Sequence, residues 1–490
     1  MIWRCMLAVV VCCGMASAAE IQGKIVNAQG AEPLSKVRVS LEESHAVTIT
    51  SPDGSFGITD IAPGRYTLRV EAIGFWLQRM TVEVRDATEV KDFSITLVPE
   101  GRRPTEVVEV TADRFAGPEP AQVASESITP GELRNSATVL AADPFRAIQT
   151  LPGVTASGNN DFFAQFTVWG APYESVAVYL DGIELRQPFH GIPGRSDGAS
   201  VSLLSNDMLE SVTLTPAAFS ERYSDGTGGA LDMHTRDGSR TGPLVRASVG
   251  LVESHVTAEG ALGNLPGSWL VAARRSYAGY LIHRSVADAI DVSIYDVAGK
   301  LTYDPSPRQT IEFYALDGHA SLDRGADISA LAVNQIAGGE NTFSMARAGW
   351  RWAATHNLLL KSQAAWIRHR YSTLNPQNRP MTADYYGEWT GDAAAVWNWS
   401  ANHVLEGGWT VRQLRDSSES ILYAAPGTVP DAFISNAAEG TALRQGGYVQ
   451  QSSDFFHHRL HLMTGVRYDR HSMALVQPVS PQASASFRVR

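Results

Sequence analysis

Cysteine is almost missing from this sequence: among 490 residues only Cys5, Cys12 and Cys13 carry a thiol. All three fall inside an N-terminal stretch that reads as removable, so the mature chain is expected to hold none. That excludes disulfides, thiolate metal sites and a cysteine nucleophile. Excess positive charge is missing too. The formal net charge is -11, whereas a nucleic-acid binder shows a basic patch or stripe, so no nucleic-acid partner is expected. Beyond the N-terminus no run of eighteen apolar residues occurs, and no membrane-spanning helix is available. A membrane protein made from this sequence would have to cross as a β-barrel. Also absent is a G-x-S-x-G nucleophile elbow. His403 and Glu406 have an H-x-x-E spacing, but in a strand they point to opposite faces and cannot share a metal. Asp291 and Asp296 read as lumen or loop residues. No catalytic residue, metal or cofactor is expected, and the chain is read as no enzyme.

What is present begins with Arg4, an apolar run from Cys5 to Met15, and Ala16-Ser17-Ala18. This is the pattern of a secretory signal peptide (1–18), with Ala16 and Ala18 at the small-x-small cleavage site. Residues 19–99 then alternate apolar and polar over short runs such as Ile21-Gly23-Ile25, Val37-Val39-Leu41, Tyr66-Leu68-Val70 and Phe93-Ile95-Leu97. Pro52-Asp53-Gly54 and Pro63-Gly64 punctuate them, which predicts a small antiparallel sandwich. The stretch SPDGSFGITDIAPGRYTLRVEAIGF resembles the transthyretin-like regulatory domain named after carboxypeptidases. The resemblance implies no peptidase activity. It leaves two roles open, docking of a partner or glycan, and a passive spacer.

The central stretch is Gln165 to Leu185. Val176, Val178 and Leu180 share one face of a predicted half-buried strand, opposite Ser175, Ala177 and Tyr179. Asp181-Gly182 follows as a type I′ hairpin turn, which needs positive φ at both positions. Asp143-Pro144 starts a helix, with Phe145, Ile148 and Leu151 on one face and Pro152-Gly153 as its stop. Leu203 to Glu210 reads as a short helical element ahead of the strand Ser211–Thr215. Ser224 to Gly229 lacks the Gly-Lys-Ser/Thr ending of a phosphate loop and leads into a strand, so its glycines are read as close packing against a barrel wall. In this order, Leu151-Pro152-Gly153-Val154, the central hairpin and Glu221-Arg222-Tyr223-Ser224-Asp225-Gly226-Thr227-Gly228-Gly229-Ala230 resemble the plug domain of TonB-dependent receptors of the Gram-negative outer membrane. The plug is placed at 117–238.

Residues 100–116 form a polar linker. Within it Thr105-Glu106-Val107-Val108-Glu109-Val110-Thr111-Ala112 is β-prone, and it reads either as the last strand of the sandwich or as an unpaired strand that invites a partner chain. Ahead of a plug-like domain it resembles a TonB box, with Glu109 where relatives often carry an apolar residue. The resemblance implies β-augmentation of the periplasmic TonB protein.

Residues 239–490 change texture to long hairpins. Ile311, Phe313 and Ala315 alternate with Thr310, Glu312 and Tyr314. Leu405, Trp409 and Val411 alternate with Glu406, Thr410 and Arg412, and the same pattern sets Leu460, Leu462, Val466 and Tyr468 against His461, Arg467 and Asp469. Apolar-out, polar-in alternation suits strands in outer-membrane lipid around a wet lumen. Asp304 to Pro307 is read as a tight periplasmic turn and Gly318 to Asn341 as a long extracellular loop. Eight of the eleven tryptophans lie here, as an aromatic girdle near strand ends. At roughly 20 residues per strand and connection, the region yields about twelve strands. Closed alone, they would make a cylinder of about 12 Å backbone radius, too narrow for a plug of about 17 Å outer radius. With Ser486–Arg490 reading as mid-strand, the expectation is the N-terminal portion of a 22-stranded receptor.

The expected fold is therefore mainly β: signal peptide, small transthyretin-like sandwich, mixed α/β plug, and the first part (about twelve strands) of an antiparallel transmembrane β-barrel. The resemblance implies an outer-membrane receptor with its N-terminal domain in the periplasm. It would bind an extracellular ligand (iron chelate, oligosaccharide, cofactor or peptide) and import it by TonB-coupled plug rearrangement. A surface glycan-binding or adhesion protein without active transport stays open as the alternative.

Overall fold

The computed structural model describes residues 19–97 apart from 28–31, 42–43, 45, 73–74, 76–77 and 87–89. It also describes residues 125–487 apart from 129–132, 134–142, 157–164, 192–200, 217–219, 225, 251–252, 278–290, 325–330, 356, 401, 425–432 and 457–458. The cleavage residues Ala16 and Ala18 and the segment Thr105 to Ala112 lie outside the described residues. The chain forms two units, taken separately below.

Among its described residues the first unit has seven strands: β1 (Ala19–Asn27), β2 (Arg38–Leu41), β3 (Val47–Ile49), β4 (Ser55–Ile61), β5 (Gly64–Glu71), β6 (Gln78–Val84) and β7 (Val90–Leu97). They make two sheets, ordered β4-β1-β7 and β3-β2-β5-β6. Every second residue turns inward, so Ile21, Ile25, Val39, Leu41, Leu68, Val70, Ile95 and Leu97 fill one core between the sheets. The Pro52-Asp53-Gly54 turn forms as read: Gly54 has φ +80°, and the Asp53 carboxylate accepts from the Ser55 hydroxyl at 2.7 Å. One departure concerns strand direction. β1 runs parallel to β7, so the sandwich is mixed, because the closing strand returns beside the first across the whole domain.

The second unit opens with the plug. Its elements are β8 (Glu126–Ile128), α1 (Pro144–Ile148), β9 (Val154–Ala156), β10 (Phe166–Val168), β11 (Ala171–Pro172), β12 (Val176–Leu180), β13 (Ile183–Glu184), β14 (Phe189–His190), β15 (Val201–Ser202), β16 (Leu209–Thr215) and β17 (Gly229–Thr235). Asp143 caps α1, accepting from the Phe145 amide at 2.8 Å. Its second oxygen accepts from the Ser202 amide at 2.8 Å, which ties the helix start to β15. Phe145 packs on Phe166 and Phe189 at centroid distances of 5.9 and 4.6 Å.

The main plug sheet is ordered β13-β12-β17-β16-β8, with β12 parallel to β17 and the other pairs antiparallel. Asp181 and Gly182 have φ +49° and +82°, as the type I′ turn requires. All five residues of β12 are buried, which corrects the half-buried reading. Val178 and Leu180 join the main core, while Ala177 and Tyr179 pack in a second cluster with Tyr223 and Ala230. A strand parallel to β17 in mid-sheet is covered on both faces, and such strands lose the one-sided pattern. The glycines after Ser224 are also corrected. They press on the plug itself: Gly226 faces Ala177, Gly228 faces Ala171 and Ser175, and Gly229 (φ +149°) faces Thr215.

Twelve long strands follow in chain order as one antiparallel sheet. They are β18 (Leu244–Val249), β19 (Glu253–Ala261), β20 (Gly267–Ser276), β21 (Asp291–Ser306), β22 (Gln309–Asp323), β23 (Gly338–Thr355), β24 (Leu358–Leu374), β25 (Pro380–Ser400), β26 (His403–Tyr423), β27 (Phe433–Phe455), β28 (Leu460–His471) and β29 (Val479–Phe487). Thr310, Glu312 and Tyr314 are buried against the plug side, whereas Phe313 on the other face is 51% exposed. Two boundaries move. Asp304 to Ser306 continue β21, and the turn is Pro307-Arg308. The polar stretches at both ends of Gly318–Asn341 are strand, leaving 324–337 as the connection, because inward-facing polar residues of a long strand mimic loop composition. Trp350 and Trp352 (stacked at 5.6 Å) and Trp397 and Trp399 lie near the short-turn ends as expected. Trp366 and Trp389 are register partners in mid-strand, a second row higher up.

Candidate functional site

The functional feature of this unit is the seat of the plug against the inner face of the sheet. Part of that seat is apolar: Tyr314, Leu316, Phe343, Met345 and Ile367 of the sheet share a core with Leu180, Leu203, Leu204 and Met208 of the plug. The rest is charge, arranged in two tiers.

The lower tier lies toward the short turns. Asp237, where the plug hands over to the sheet, accepts from Lys300 Nζ at 3.0 Å and Arg240 at 3.1 Å, and from the Thr302 hydroxyl at 2.9 Å. Lys300 also donates to the carbonyl of Thr235 at 2.9 Å. Arg240 pairs with Asp304 as well. Beside them Glu312 takes Arg347 at 2.7 Å and Arg351 at 3.0 Å, and Glu259 takes Arg236 at 2.6 Å and Arg246 at 2.8 Å. Burial pushes the Asp237 carboxyl upward, but Lys300, Arg240 and Arg351 outweigh it and hold it below the usual carboxylate range.

In the upper tier, the Asp181 turn meets the wall. Its carboxylate accepts from the Thr235 amide at 2.9 Å and the Thr235 hydroxyl at 2.7 Å, and from Arg347 at 3.1 Å. Three residues on, Glu184 pairs with Arg412, which also grips Glu388 at 2.7 and 3.0 Å. His190 meets Asp296, which Arg274 holds at 2.7 Å, and the carbonyl of Gly191 accepts from Asn341. The Asp296 carboxylate is therefore an interface residue, while Asp291 stands exposed at the start of β21.

The Glu221–Ala230 motif is a third joint. Tyr223 donates to Asp232 at 2.7 Å, and the Tyr179 hydroxyl bonds both the amide and the carbonyl of Ser224 at 2.7 Å. Ser220 and the Glu221 amide donate to Gln450 at 2.7 and 3.2 Å, and Arg467 donates to the Glu221 carbonyl at 2.8 Å. Burial raises Asp232, but His234, Arg222 and the Tyr223 hydroxyl bring its pKa below the ordinary range. Asp143 differs: burial dominates and its carboxyl is raised, against the Ser202 amide and Arg274.

Sequence reasoning missed Asp181, Glu184, Arg274, Lys300, Arg347 and Arg412 as functional positions. The available signal was parity: each sheet residue in that set occupies the inward phase of an alternating strand. His403 and Glu406, judged unable to share a metal, bond separately to Ser453 at 2.8 Å and to Tyr448 at 2.6 Å.

A plug domain seated on the charged inner face of an antiparallel sheet whose other face carries an apolar band is the plug-and-barrel arrangement of outer-membrane proteins. The comparisons specify it further. Residues 20–98 match the carboxypeptidase regulatory-like domain model and residues 120–231 match the TonB-dependent receptor plug domain model. The TonB-dependent transporter Oar of Myxococcus xanthus is 23% identical over 238 residues, which is 46% of this chain and 21% of that protein. Among solved structures, a variant of the ferric enterobactin receptor PfeA from Pseudomonas aeruginosa aligns with TM-score 0.56 at 15% identity, over 76% of this chain and 60% of that one. The outer membrane transporter YddB of Escherichia coli aligns with TM-score 0.56 at 12% identity, over 74% and 59%. At these identities the structural likeness shows the fold, and the chain spans about three fifths of those receptors' length. The chain therefore carries a plug domain of the TonB-dependent receptor kind with a carboxypeptidase regulatory-like domain ahead of it, and its sheet shares the fold of outer-membrane receptors.

Proposed function

We propose that this chain acts in energised import. An extracellular ligand binds between the plug apex and the mouth of the sheet, TonB pairs with Thr105–Ala112, and a pull driven by the inner-membrane proton gradient rearranges the plug. The observation that carries the reading is the seat itself: a plug with its own sheet, held to the wall through discrete ion pairs and hydrogen bonds such as Asp181–Arg347 and Glu184–Arg412. These joints are discrete and separate from the strand ladder, so the plug can shift without dismantling the twelve-stranded sheet.

The ligand face is assigned to residues at the long-connection end. Arg186 of the plug stands over the Tyr386 ring at 5.0 Å and pairs with Asp416 at 3.6 Å. Iron chelates, oligosaccharides, cofactors and peptides all fit a mixed aromatic and charged mouth. PfeA is named for ferric enterobactin, which at 15% identity does not choose among them. The assigned segments are a signal peptide at 1–18, the regulatory-like sandwich at 19–99 in the periplasm, the box-bearing linker at 100–116, the plug at 117–238 and barrel strands at 239–490. No enzymatic activity is proposed. Deleting Thr105 to Ala112 from the full chain is expected to abolish binding of the purified periplasmic domain of TonB. Undiminished binding by that deletion would refute the box.

A further inference from the structure

On the outward face of the sheet, away from the plug, lies a hollow of about 700 Å³ that the import cycle does not use. Its lining is nearly all hydrocarbon, and its shape follows from residue size. Gly299, Ala315 and Ala346 are register partners on β21, β22 and β23, and Ala348 and Ala364 continue this low floor. Along the same ladder row, Val271 stands on one side, and Trp366 and Trp389 stand on the other. With strands about 4.8 Å apart, the small residues of the first row open a trough about 10 Å across. Phe313 and Trp389 on its rims are 51% and 62% exposed. Facing lipid, such a trough leaves its walls short of dispersion partners unless a hydrocarbon chain settles into it.

The upper end of the trough is basic. Two residues beyond Trp366 on the same face, the Arg368 guanidinium lies 5.3 Å from the Trp366 ring and donates to the Ser344 hydroxyl at 3.3 Å. Arg370 lies 5.4 Å from the Tyr385 ring. In the same ladder row as Arg370 come Arg275, Tyr295 and His319, the last two stacked at 5.2 Å. Three acids border this band: Asp317 is occupied by the Ser344 hydroxyl at 2.7 Å, Glu439 by Arg415 at 2.7 Å, and Glu340 stands two residues beyond Thr342, the register partner of Arg370. The arginines lie toward the end with long connections, which is the extracellular side in barrels of this class.

We propose that the trough and the arginines above it form one binding site for a phosphorylated, multiply acylated glycolipid of the outer leaflet, that is, lipid A. Acyl chains lie along the Gly299–Ala346 floor, and a phosphate accepts charge-assisted, bidentate hydrogen bonds from Arg368 and Arg370. The site rests on the outer-membrane placement of the sheet and is independent of whether TonB moves the plug.

The test uses the full chain, purified in mild detergent, stripped of lipid and titrated with lipid A, dephosphorylated lipid A or phosphatidylethanolamine under native mass spectrometry. The wild type is expected to retain lipid A over both other lipids. Arg368→Gln with Arg370→Gln should weaken lipid A retention about tenfold or more, as loss of charge-assisted bonds implies, down to the level of the dephosphorylated form. Ala346→Phe should fill the trough and block both forms. Equal retention by all three proteins would mean an unspecific lipid annulus and would overturn the proposal. So would a dimeric mass that Ala346→Phe converts to monomer, because the trough would then seat a second copy. If Ala346→Phe fails to fold, the arginine pair on the surface still decides the matter.

Discussion

Asp181→Asn is the sharpest probe of the plug's seat. Asp181 is 8% exposed at its side chain, and its two oxygens serve three donors on two partners: the amide and hydroxyl of Thr235, and Arg347 of the wall. Asparagine keeps the positive φ of the turn and one acceptor oxygen, so the Thr235 amide stays bonded. Its NH2 group replaces the oxygen that faced Arg347, setting donor against donor. Arg347 retains Glu312 at 2.7 Å, so no cation is orphaned, and the larger penalty for a broken buried pair does not apply. What is lost is close to one charge-assisted hydrogen bond, about 2 kcal/mol. At 1.4 kcal/mol per decade this is about 30-fold in the opening equilibrium of the plug. Amide exchange of β12 and β17, followed by mass spectrometry in detergent, reads that equilibrium when opening is local. Protection in those strands should fall about 30-fold while β24–β27 stay unchanged. A fall of less than about threefold, or one spread equally over the sheet, would refute the assignment of Asp181 as a seat residue.

Two further outcomes follow from the same geometry. Asp232 and Asp237 have pKa values depressed from the ordinary 3.8, so their stabilisation is present above that value and is lost as pH falls through it toward the folded values; the raised Asp143 acts in the opposite sense. Plug protection measured against pH should therefore drop below about pH 4, and a plug that loosens already between neutral pH and that point would contradict the pairing. Phe313→Arg puts a cation on the lipid face at a cost of about 2–4 kcal/mol near the bilayer midplane. The heat-modifiable folded band on gels should shrink accordingly, and an undiminished band would contradict the outward assignment of Phe313.

Much of the architecture was legible because barrel strands and hairpin turns are written in local patterns. The inward set Thr310, Glu312 and Tyr314 could be separated from the outward set Ile311, Phe313 and Ala315 by parity alone, and Asp181-Gly182 announced its turn through the φ it needs. The seat was not legible, since its pairs join distant residues: Glu184 and Arg412 are 228 positions apart, and Ser220 and Gln450 are 230 apart. No local window connects them. In sequence β12 reads as half-buried because Ala177 and Tyr179 look solvent-tolerant, and only the fold brings Tyr223 and Ala230 to cover them. The glycines of Gly226–Gly229 were correctly read as close packing, but the surface they pack on belongs to the plug.

The central claim is that a pull on the linker moves the plug, and one measurement addresses it directly. The cysteines Cys5, Cys12 and Cys13 all lie in the proposed signal peptide, so once that segment is removed Val178→Cys, at a site 4% exposed, is the one thiol among residues 19–490. Energised cells carrying this variant are treated with a membrane-impermeant maleimide, with and without residues 105–112. The account predicts labelling that requires TonB, the proton gradient and the intact segment. Equal labelling after deletion of Thr105–Ala112 would show that the plug opens without it, and energised import would be the wrong reading.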